Sequence, residues 1–430
     1  MDRQGIENIA SDYMYSESST DKPLPLEGIT VCDFTWIVAG PQATRILADL
    51  GADVIKVENE SYIDSMRWGQ QVDPENPSFN GSGFHNNFNR NKRGITANLH
   101  HPLGREIVER LIKKSDIVIE NYSAGAFARM GFSWDRIQEI NPTAIYISLS
   151  GFGHTGRDKS YITWGPTAAA VSGCTQMSGF PDKEPAGWGY SYLDHTAGYY
   201  GAIAALMALH HRKNTGEAQY VDISQIETGM VLTGVPLLDY QINSRRYERI
   251  GNRSRYPAVA PHNTYRCKQD NKGRDSWIAI TVEETLQWNA LCDLIGDSRL
   301  NDDPRFKDNE SRKNNEDILD EIISEFTIEN EAQSLMYRLQ SIGIPAGMCQ
   351  RTDDKMESDE QLSFRDFYPS APHDHLGEHR YEGYPAKFSD ARWKMERGAP
   401  LLGQDTFDVL TNLLEYSPEE VANMIAELAV

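Results

Sequence analysis

The sequence predicts an α/β protein with a large, mostly parallel-sheet domain and a smaller α+β domain. Three observations predict it. Strand-like and helix-like stretches alternate from residue 28 onward. Apolar spacing switches between a period near two and one near 3.6, as buried strands and amphipathic helices require. A chain of 430 residues also exceeds what one simple core holds, and roughly 150 residues per domain suggests two or three domains.

Residues 1–26 are polar, acidic and punctuated by proline, which predicts an extension that is mobile or draped on a partner. Gly28 to Phe34 reads as a buried strand. Pro41 to Leu50 reads as a helix with proline in its first turn and Gly51 closing it, and Ala52 to Val57 as a second strand. That is a βαβ unit, and the pattern repeats. Pro102 to Lys114 is amphipathic through Leu103, Ile107, Val108 and Leu111, and strands are expected over Asp116 to Glu120 and Ala144 to Leu149. An apolar helix over Gly198 to His211 turns at Thr215 and Gly216 into a strand, Tyr220 to Ile223. Such alternation implies a Rossmann-like parallel sheet covered on both faces.

The large domain is expected over residues 27–226, with a linker over 227–253. The small domain is expected over 254–352, built on the strand Trp277 to Val282 with Ile278, Ile280 and Val282 facing inward. Its helices are expected at Thr285 to Ile295, Asn315 to Phe326 and Glu331 to Ile342. A second linker, rich in Asp, His and Gly, spans 353–383, and 384–430 returns to the large domain, making it discontinuous. Internal repeats and low-complexity tracts are absent from the sequence.

The composition, 39% hydrophobic and 24% charged, is that of a globular protein, and no stretch approaches the roughly 18–20 apolar residues that span a bilayer. The amino terminus has neither an apolar core nor a small-residue cleavage site, so no secretory signal is read and a cytoplasmic location is expected. Cys32, Cys174, Cys267, Cys292 and Cys349 are odd in number and far apart, with no CxxC pair, which predicts reduced thiols. A formal charge of -21 argues against nucleic acid as a partner, because a polyanion needs a dense cationic surface. A phosphate-bearing ligand has to be held by a few positioned cations and backbone N–H groups.

The first βα turn, TWIVAGPQ, lacks GxGxxG, so the dinucleotide fingerprint is absent. GxxxxGK[ST], GxSxG and HExxH are absent too. The HDH run from His373 to His375 sits in the second linker and reads as a solvated loop, so no metal site is expected. The most informative segment is GWGYSYLDHTAGYYGA, residues 187–202, in which Asp194 lies in a Gly- and Tyr-rich turn just ahead of the apolar helix. Alone, a carboxylate there reads as an N-cap.

Seven blocks in order change that reading. They are residues 26–58 (LEGITVCDFTWIVAGPQATRILADLGADVIKVE), 89–99 (NRNKRGITANL), 117–142 (IVIENYSAGAFARMGFSWDRIQEINP), 147–156 (ISLSGFGHTG), the Asp194 turn, 215–227 (TGEAQYVDISQIE) and 397–406 (RGAPLLGQDT). In these blocks, from about Pro25 to Val430, the chain resembles the class III CoA-transferases of the CaiB/BaiF family. The resemblance implies that Asp194 is a nucleophile attacking an acyl-CoA thioester, forming a mixed anhydride that CoA thiolate recaptures as an aspartyl thioester. The substrates implied are an acyl-CoA and a free carboxylic acid, with no cofactor beyond CoA. Backbone N–H groups near Gly198 and a glycine-bearing loop are the expected oxyanion donors and water shield. For CoA the resemblance points to Ile37, Val38 and Ala39 along the pantetheine arm, and to Asn121, Tyr122, Arg129 and Met130. Arg129 would grip phosphate while Tyr122 and Met130 flank the adenine. The bland alternatives are a surface charge for Arg129 and core filler for Met130. Lys92 and Arg93 are placed either near the CoA phosphates or on a solvated face. The resemblance further implies two interlocked chains, either a homodimer or a heterodimer with a paralogous subunit.

The chain also departs from the family. Trp164 and Gly165 stand where formyl-CoA-type members carry Tyr-Glu, and those members' run of four glycines is missing. Trp36 and the GWGYSYLDH wording look more like the branch handling bulky or aryl-substituted dicarboxylic acids such as benzylsuccinate. One alternative is an acyl-CoA racemase or epimerase, which exchanges an α-proton between a His and an Asp. Its His position falls on Trp164, and the neighbours His154 and His195 read as hydrogen-bonded turn residues. The other alternative is a non-catalytic subunit of a hetero-oligomeric transferase, against which the retained Asp194 argues.

Overall fold

In a computed structural model of the chain, residues 21–430 are described, so most of the extension expected over residues 1–26 lies outside the described residues. The sheet at the centre has six strands, β1 (Thr30–Asp33), β2 (Asp53–Glu58), β3 (Arg93–Thr96), β4 (Ile117–Glu120), β5 (Ile145–Ser150) and β6 (Tyr220–Ser224). Every pairing is parallel and the order is β3-β2-β1-β4-β5-β6. A parallel strand covered on both faces must be apolar along its length. Accordingly β4, IVIE, is buried at all four positions.

Helices α1 (Ala39–Asp49), α2 (Gly83–Asn89), α3 (Pro102–Lys114), α4 (Trp134–Ile140), α5 (Tyr192–Thr215), α6 (Gln225–Leu232) and α7 (Gly234–Asn243) belong to the same part. One face of the sheet packs Val31, Ile119 and Ile147 against Ala43 and Leu47 of α1 and Ala202 and Ala205 of α5. The other packs Val118 and Tyr146 against Ile107, Val108 and Leu111 of α3, with Val409, Leu410 and Met424 closing the layer. The late segment also covers the outer edge of β3: the Gly94 N–H donates to the Asp405 carboxylate at 2.8 Å and the Asn98 N–H to Ala429 O at 2.9 Å. An unpaired strand edge is thereby hidden. The strand order reverses between β1 and β4, so the crevice of the sheet lies beyond their carboxyl ends.

The chain divides into two compact units. The first takes the described residues to Thr175, Gly187–Arg245 and Gln361–Val430; the second takes Gln176–Ala186 and Arg246–Glu360. The second has its own antiparallel sheet of β7 (His262–Cys267), β8 (Ser276–Thr281) and β9 (Ala346–Met348). Against it pack α8 (Thr285–Ile295), α9 (Glu316–Thr327) and α10 (Ala332–Ser341), through Leu291, Leu319, Ile323 and Leu335. Neither expected linker is simple chain. Residues 227–243 are largely α6 and α7, and 353–383 include a hairpin, β10 (Ser370–His373) with β11 (Gly377–Arg380). His373 is therefore not in a solvated loop: it is buried, and its Nδ1 accepts the N–H groups of His375 and Leu376 at 3.2 and 3.1 Å.

Candidate active site

The turn after β1 reaches the crevice with a constrained backbone. Ile37 has φ +66°, a left-handed conformation that a β-branched residue adopts at a cost of about 1–3 kcal/mol. Its neighbours hold it there. The Trp36 N–H donates to Asn121 Oδ1 at 2.9 Å, Asn121 Nδ2 donates back to Trp36 O at 3.0 Å, and the Ile37 N–H reaches both Asp64 oxygens at 3.2 Å. Buried Lys56 clamps the same turn, donating to Thr35 O at 2.6 Å and to Asp64 at 3.3 Å.

Lys92 belongs to this foundation. Its Nζ lies 3.0 Å from Asp33 and bonds Thr44 Oγ1 at 2.7 Å and Asn89 Oδ1 at 2.8 Å, fully buried. Burial draws its pKa down to about 8, against the attraction of Asp33. Arg93 opens β3 at the opposite end of the sheet and pairs with Asp53 and Asp408. Lys92 is thus buried and fully partnered, and Arg93 lies at the end of the sheet away from the crevice.

Asp194 sits in the first turn of α5, which starts at Tyr192, six residues before the expected Gly198. It is not the N-cap: that position is Ser191. Gln225, first residue of α6, donates its amide to Asp194 Oδ1. Burial pushes the Asp194 carboxyl above its ordinary range, and hydrogen bonds from Gln225 and Ser191 draw it partly back. Two glycines make room here. A Cβ on Gly165 would stand 2.6 Å from Asp194 Oδ2, and one on Gly198 would stand 2.5 Å from Gln42 Cβ and 2.8 Å from Ala39 O. The approach of α1 to α5 therefore sets the depth of Asp194.

Two cavities meet beyond the strand ends. One, of about 510 Å³, is lined by Tyr122, Arg129 and Met130 together with Lys56, His100 and Arg105. The other, of about 610 Å³, is lined by Ile37, Val38, Ala39, Asn121, Tyr122 and Asp194. Trp36, Tyr62, Tyr122 and Ser123 wall both. Eight of the ten residues singled out in the sequence thus line this double chamber; Lys92 and Arg93 do not. Arg129 is available to an anion, with a 3.4 Å bond to Ala124 O and no carboxylate pair among the described residues. Arg105, Asp64 and Gln225 were not singled out. The signal for Gln225 was its place just after the end of a parallel strand, where ligand residues gather.

Below Tyr122 lies a second buried carboxyl. Glu120 Oε2 accepts the Tyr122 N–H at 2.7 Å and Oε1 accepts the Tyr146 hydroxyl at 3.1 Å. Burial raises Glu120 to about 7. His154 Nε2, 3.7 Å away, is pulled down by burial, so the two do not form a strong ion pair. The histidines also differ from expectation. His195 is inside α5, with rings of Tyr190 and Phe88 at 4.8 and 5.4 Å. Neither His154 Nε2 nor His195 Nε2 has a hydrogen-bond partner among the described residues. Burial takes His195 to about 4, which makes it a weak base. Trp164 lines the 610 Å³ chamber and offers no proton-transfer group.

Among the described residues no group of three or more His, Cys, Asp or Glu is placed to hold a metal, and no helix is long and apolar enough to cross a membrane. The family model for CoA-transferase family III matches residues 26–406. Succinyl-CoA–D-citramalate CoA-transferase of Chloroflexus aurantiacus is 31% identical over 96% of this chain and all of its own. Succinate–glutarate CoA-transferase of Agrobacterium fabrum is 30% identical over 90% of this chain and 96% of its own. A CaiB/BaiF family protein from Brucella suis, solved by crystallography, superposes with a TM-score of 0.81 at 30% identity, covering 95% of this chain and all of that one. The extent of these matches and the shared fold make this chain a member of CoA-transferase family III, an enzyme acting on carboxylic acids.

Proposed function

We propose that the chain moves CoA from an acyl-CoA to a free carboxylate with Asp194 as covalent nucleophile. The observation that carries this is a half-buried carboxylate on the wall of one chamber, with a neighbouring chamber that gathers His100, Arg105 and Arg129. The second chamber suits the adenine and phosphates of CoA, with the Arg129 guanidinium as phosphate donor and Tyr122 and Met130 as apolar walls. The turn at Ile37, Val38 and Ala39 leads from there to Asp194, the path of the pantetheine arm.

The Asp194 carboxylate attacks the thioester carbonyl; the C–S bond breaks and CoA leaves as thiolate, giving a mixed anhydride. The thiolate attacks the Asp194 carbonyl, releasing the first acid as carboxylate and leaving aspartyl-CoA. The acceptor carboxylate attacks that thioester and the thiolate attacks the acceptor carbonyl, restoring Asp194. Protons are neither gained nor lost, so no metal or organic cofactor is required. Each tetrahedral intermediate needs N–H donors. Gly198 is inside α5 with its N–H committed to the helix, so it is not the donor. Val38 offers no side-chain cap to α1, which leaves the first N–H groups of that helix for the oxyanion.

The acid is bulky in this reading, because Trp36, Tyr62, Tyr161 and Trp164 wall the chamber. The citramalate and glutarate in the relatives' names establish a carboxylic acid as the class. A second chain, identical or a paralogous subunit, completes the enzyme in this reading. Ile203, Met207, Val231, Val235 and Ile242 of α5 to α7 are each more than half exposed, apolar surface that a partner chain would cover. Incubation with an acyl-CoA donor and no acceptor should add the mass of CoA less water to a peptide containing Asp194, and hydroxylamine should discharge it. Asp194→Asn should abolish transfer with CoA affinity little changed. Transfer at the natural rate by that variant, or an adduct on Cys174, would refute the mechanism.

A further inference from the structure

In the transferase reading two carbon atoms are attacked, and their developing charge falls in different places. One is the carbonyl carbon of the substrate, whose oxyanion takes the first N–H groups of α1. The other is Cγ of Asp194 itself, attacked by CoA thiolate and later by the acceptor carboxylate. The two oxygens of Asp194 are not equivalent. Oδ1 accepts the side-chain amide of Gln225. Oδ2 faces Gly165, where a Cβ would stand 2.6 Å away, so that side is open because the residue is glycine. All three residues line the 610 Å³ chamber. Gln225 is itself fixed from behind. It is buried as the first residue of α6, and its carbonyl accepts the Thr228 hydroxyl at 2.7 Å. Its neighbours Ser224 and Ile226 both bond Gly151 O just beyond β5, through Ser224 Oγ at 3.3 Å and the Ile226 N–H at 3.0 Å. The amide has to present its nitrogen to Asp194, because its oxygen would repel an ionised carboxylate.

We propose that Gln225 is a second catalytic residue, the donor that holds the oxyanion formed on Asp194 Oδ1 each time Cγ is attacked. The proposal rests on the transferase reading and gives the two oxygens separate parts. Oδ2 attacks the donor thioester and becomes the bridge of the anhydride. When thiolate adds to Cγ, the carbonyl electron pair moves onto Oδ1; as it returns, the Cγ–Oδ2 bond breaks and that oxygen leaves with the first acid. Addition of the acceptor carboxylate charges Oδ1 again, and the returning pair expels thiolate, leaving an acceptor oxygen as the new bridge. Thiolate then adds to the acceptor carbonyl and Asp194 departs as carboxylate, with Oδ1 retained through the cycle. Charge on Oδ1 is shared with Oδ2 in the carboxylate, nearly absent in the thioester and concentrated in each intermediate. A donor at this atom therefore stabilises the intermediate more than the thioester before it, which is the condition for accelerating the step. Because Gln225 is in place before the chemistry, it costs no reorganisation.

Gln225→Met keeps the length of the side chain and removes the amide. The purified full chain is loaded with whichever of acetyl-CoA and succinyl-CoA forms the Asp194 adduct. The adduct is then discharged with the carbon-13-labelled acid of the same donor and followed by mass spectrometry. Discharge should slow on the order of 10²–10³-fold, the loss that follows removal of one oxyanion donor, with CoA affinity in calorimetry little changed. Attack on the donor places its oxyanion on the substrate, so the anhydride still forms but waits longer for thiolate. Water takes more of it, and acyl-CoA hydrolysis per transfer should rise about tenfold or more. A merely structural loss lowers both rates and leaves that ratio unmoved. Discharge near the natural rate, or an unmoved ratio, in a variant that binds CoA overturns the proposal. Where the variant does not bind CoA, the natural chain decides. With its aspartates carbon-13-labelled, the infrared difference between loaded and free protein should put the Asp194 thioester carbonyl below the frequency of a free aspartyl thioester, as a hydrogen-bonded carbonyl requires. A band at the free frequency overturns the role of Gln225 and spares the nucleophile; failure to form any adduct on Asp194 removes both.

Discussion

Glu120→Gln should stabilise the protein at pH 8 and do so far less at pH 5. Glu120 is fully buried at the end of β4, and burial raises it to about 7 from an ordinary 4.5. Hydrogen bonds from the Tyr122 N–H and the Tyr146 hydroxyl favour the ionised form but do not offset burial. Between those two values the folded chain holds a proton that the unfolded chain has released. Folded stability from this group is therefore fully present below about pH 4.5 and lost as pH rises through about 7. The window is 7 less 4.5, or 2.5 units, and at roughly 1.4 kcal/mol per unit the loss is on the order of 3 kcal/mol. Glutamine is neutral throughout and keeps a carbonyl for the Tyr122 N–H, so the variant escapes the loss. With two compact units in the chain, a single global unfolding energy is poorly defined. Hydrogen exchange of peptides covering β4 and β5, at pH 5 and pH 8 with intrinsic rates corrected, reads the local energy instead. The variant's advantage should grow by about 2–3 kcal/mol between the two conditions. An advantage that does not change with pH would show that Glu120 is already ionised at neutral pH and refute the reasoning.

Gly198→Ala should lower thermal stability by about 1–3 kcal/mol and depress transfer, because the new Cβ would meet Gln42 Cβ and the Ala39 carbonyl and force α1 from α5; an unchanged melting curve would mean the helices separate freely. Arg129→Ala should weaken CoA binding by about 1–3 kcal/mol in calorimetry, and Arg93→Ala, at the far end of the sheet, should not. Because burial raises Asp194, the acid limb of kcat/KM should lie above the roughly 3.9 of a free aspartate. A limb at the free value would place the nucleophile in water.

Much of this was legible because the physics involved is local. The strands β4 and β5 are mostly apolar, and α3 carries its buried face at helical spacing through Ile107, Val108 and Leu111. Asp194 was legible only through the ordered blocks around it, since a single carboxylate near a helix start has an ordinary explanation. The start of α5 was not: Gly198 and Gly201 weaken the helical pattern in sequence, and what offsets them is close packing on α1, which sequence spacing does not record. Lys92 and Arg93 failed for a similar reason. In sequence they are two cations in a basic run; their partners Asp33, Asp53 and Asp408 come from other strands and from the late segment. The stretch read as a linker before the second unit hides α7 because that helix buries none of its residues and so shows no amphipathic stripe. Residues 176–186 leave the first unit for the second and return within a run too short to read in sequence as a domain crossing.

The discontinuity of the first unit has a consequence for how the protein is made. Translation delivers Arg246–Glu360 before the segment beginning at Gln361, so the second unit can collapse on the ribosome while the first still waits. During that interval the outer edge of β3 and the apolar layer later filled by Val409, Leu410 and Met424 stand open to other nascent chains. The early-made unit is thus the later one to finish. In expression, slow elongation through the second unit lengthens the exposure, and a chaperone that binds sticky strand edges would raise the soluble yield more than one acting after release.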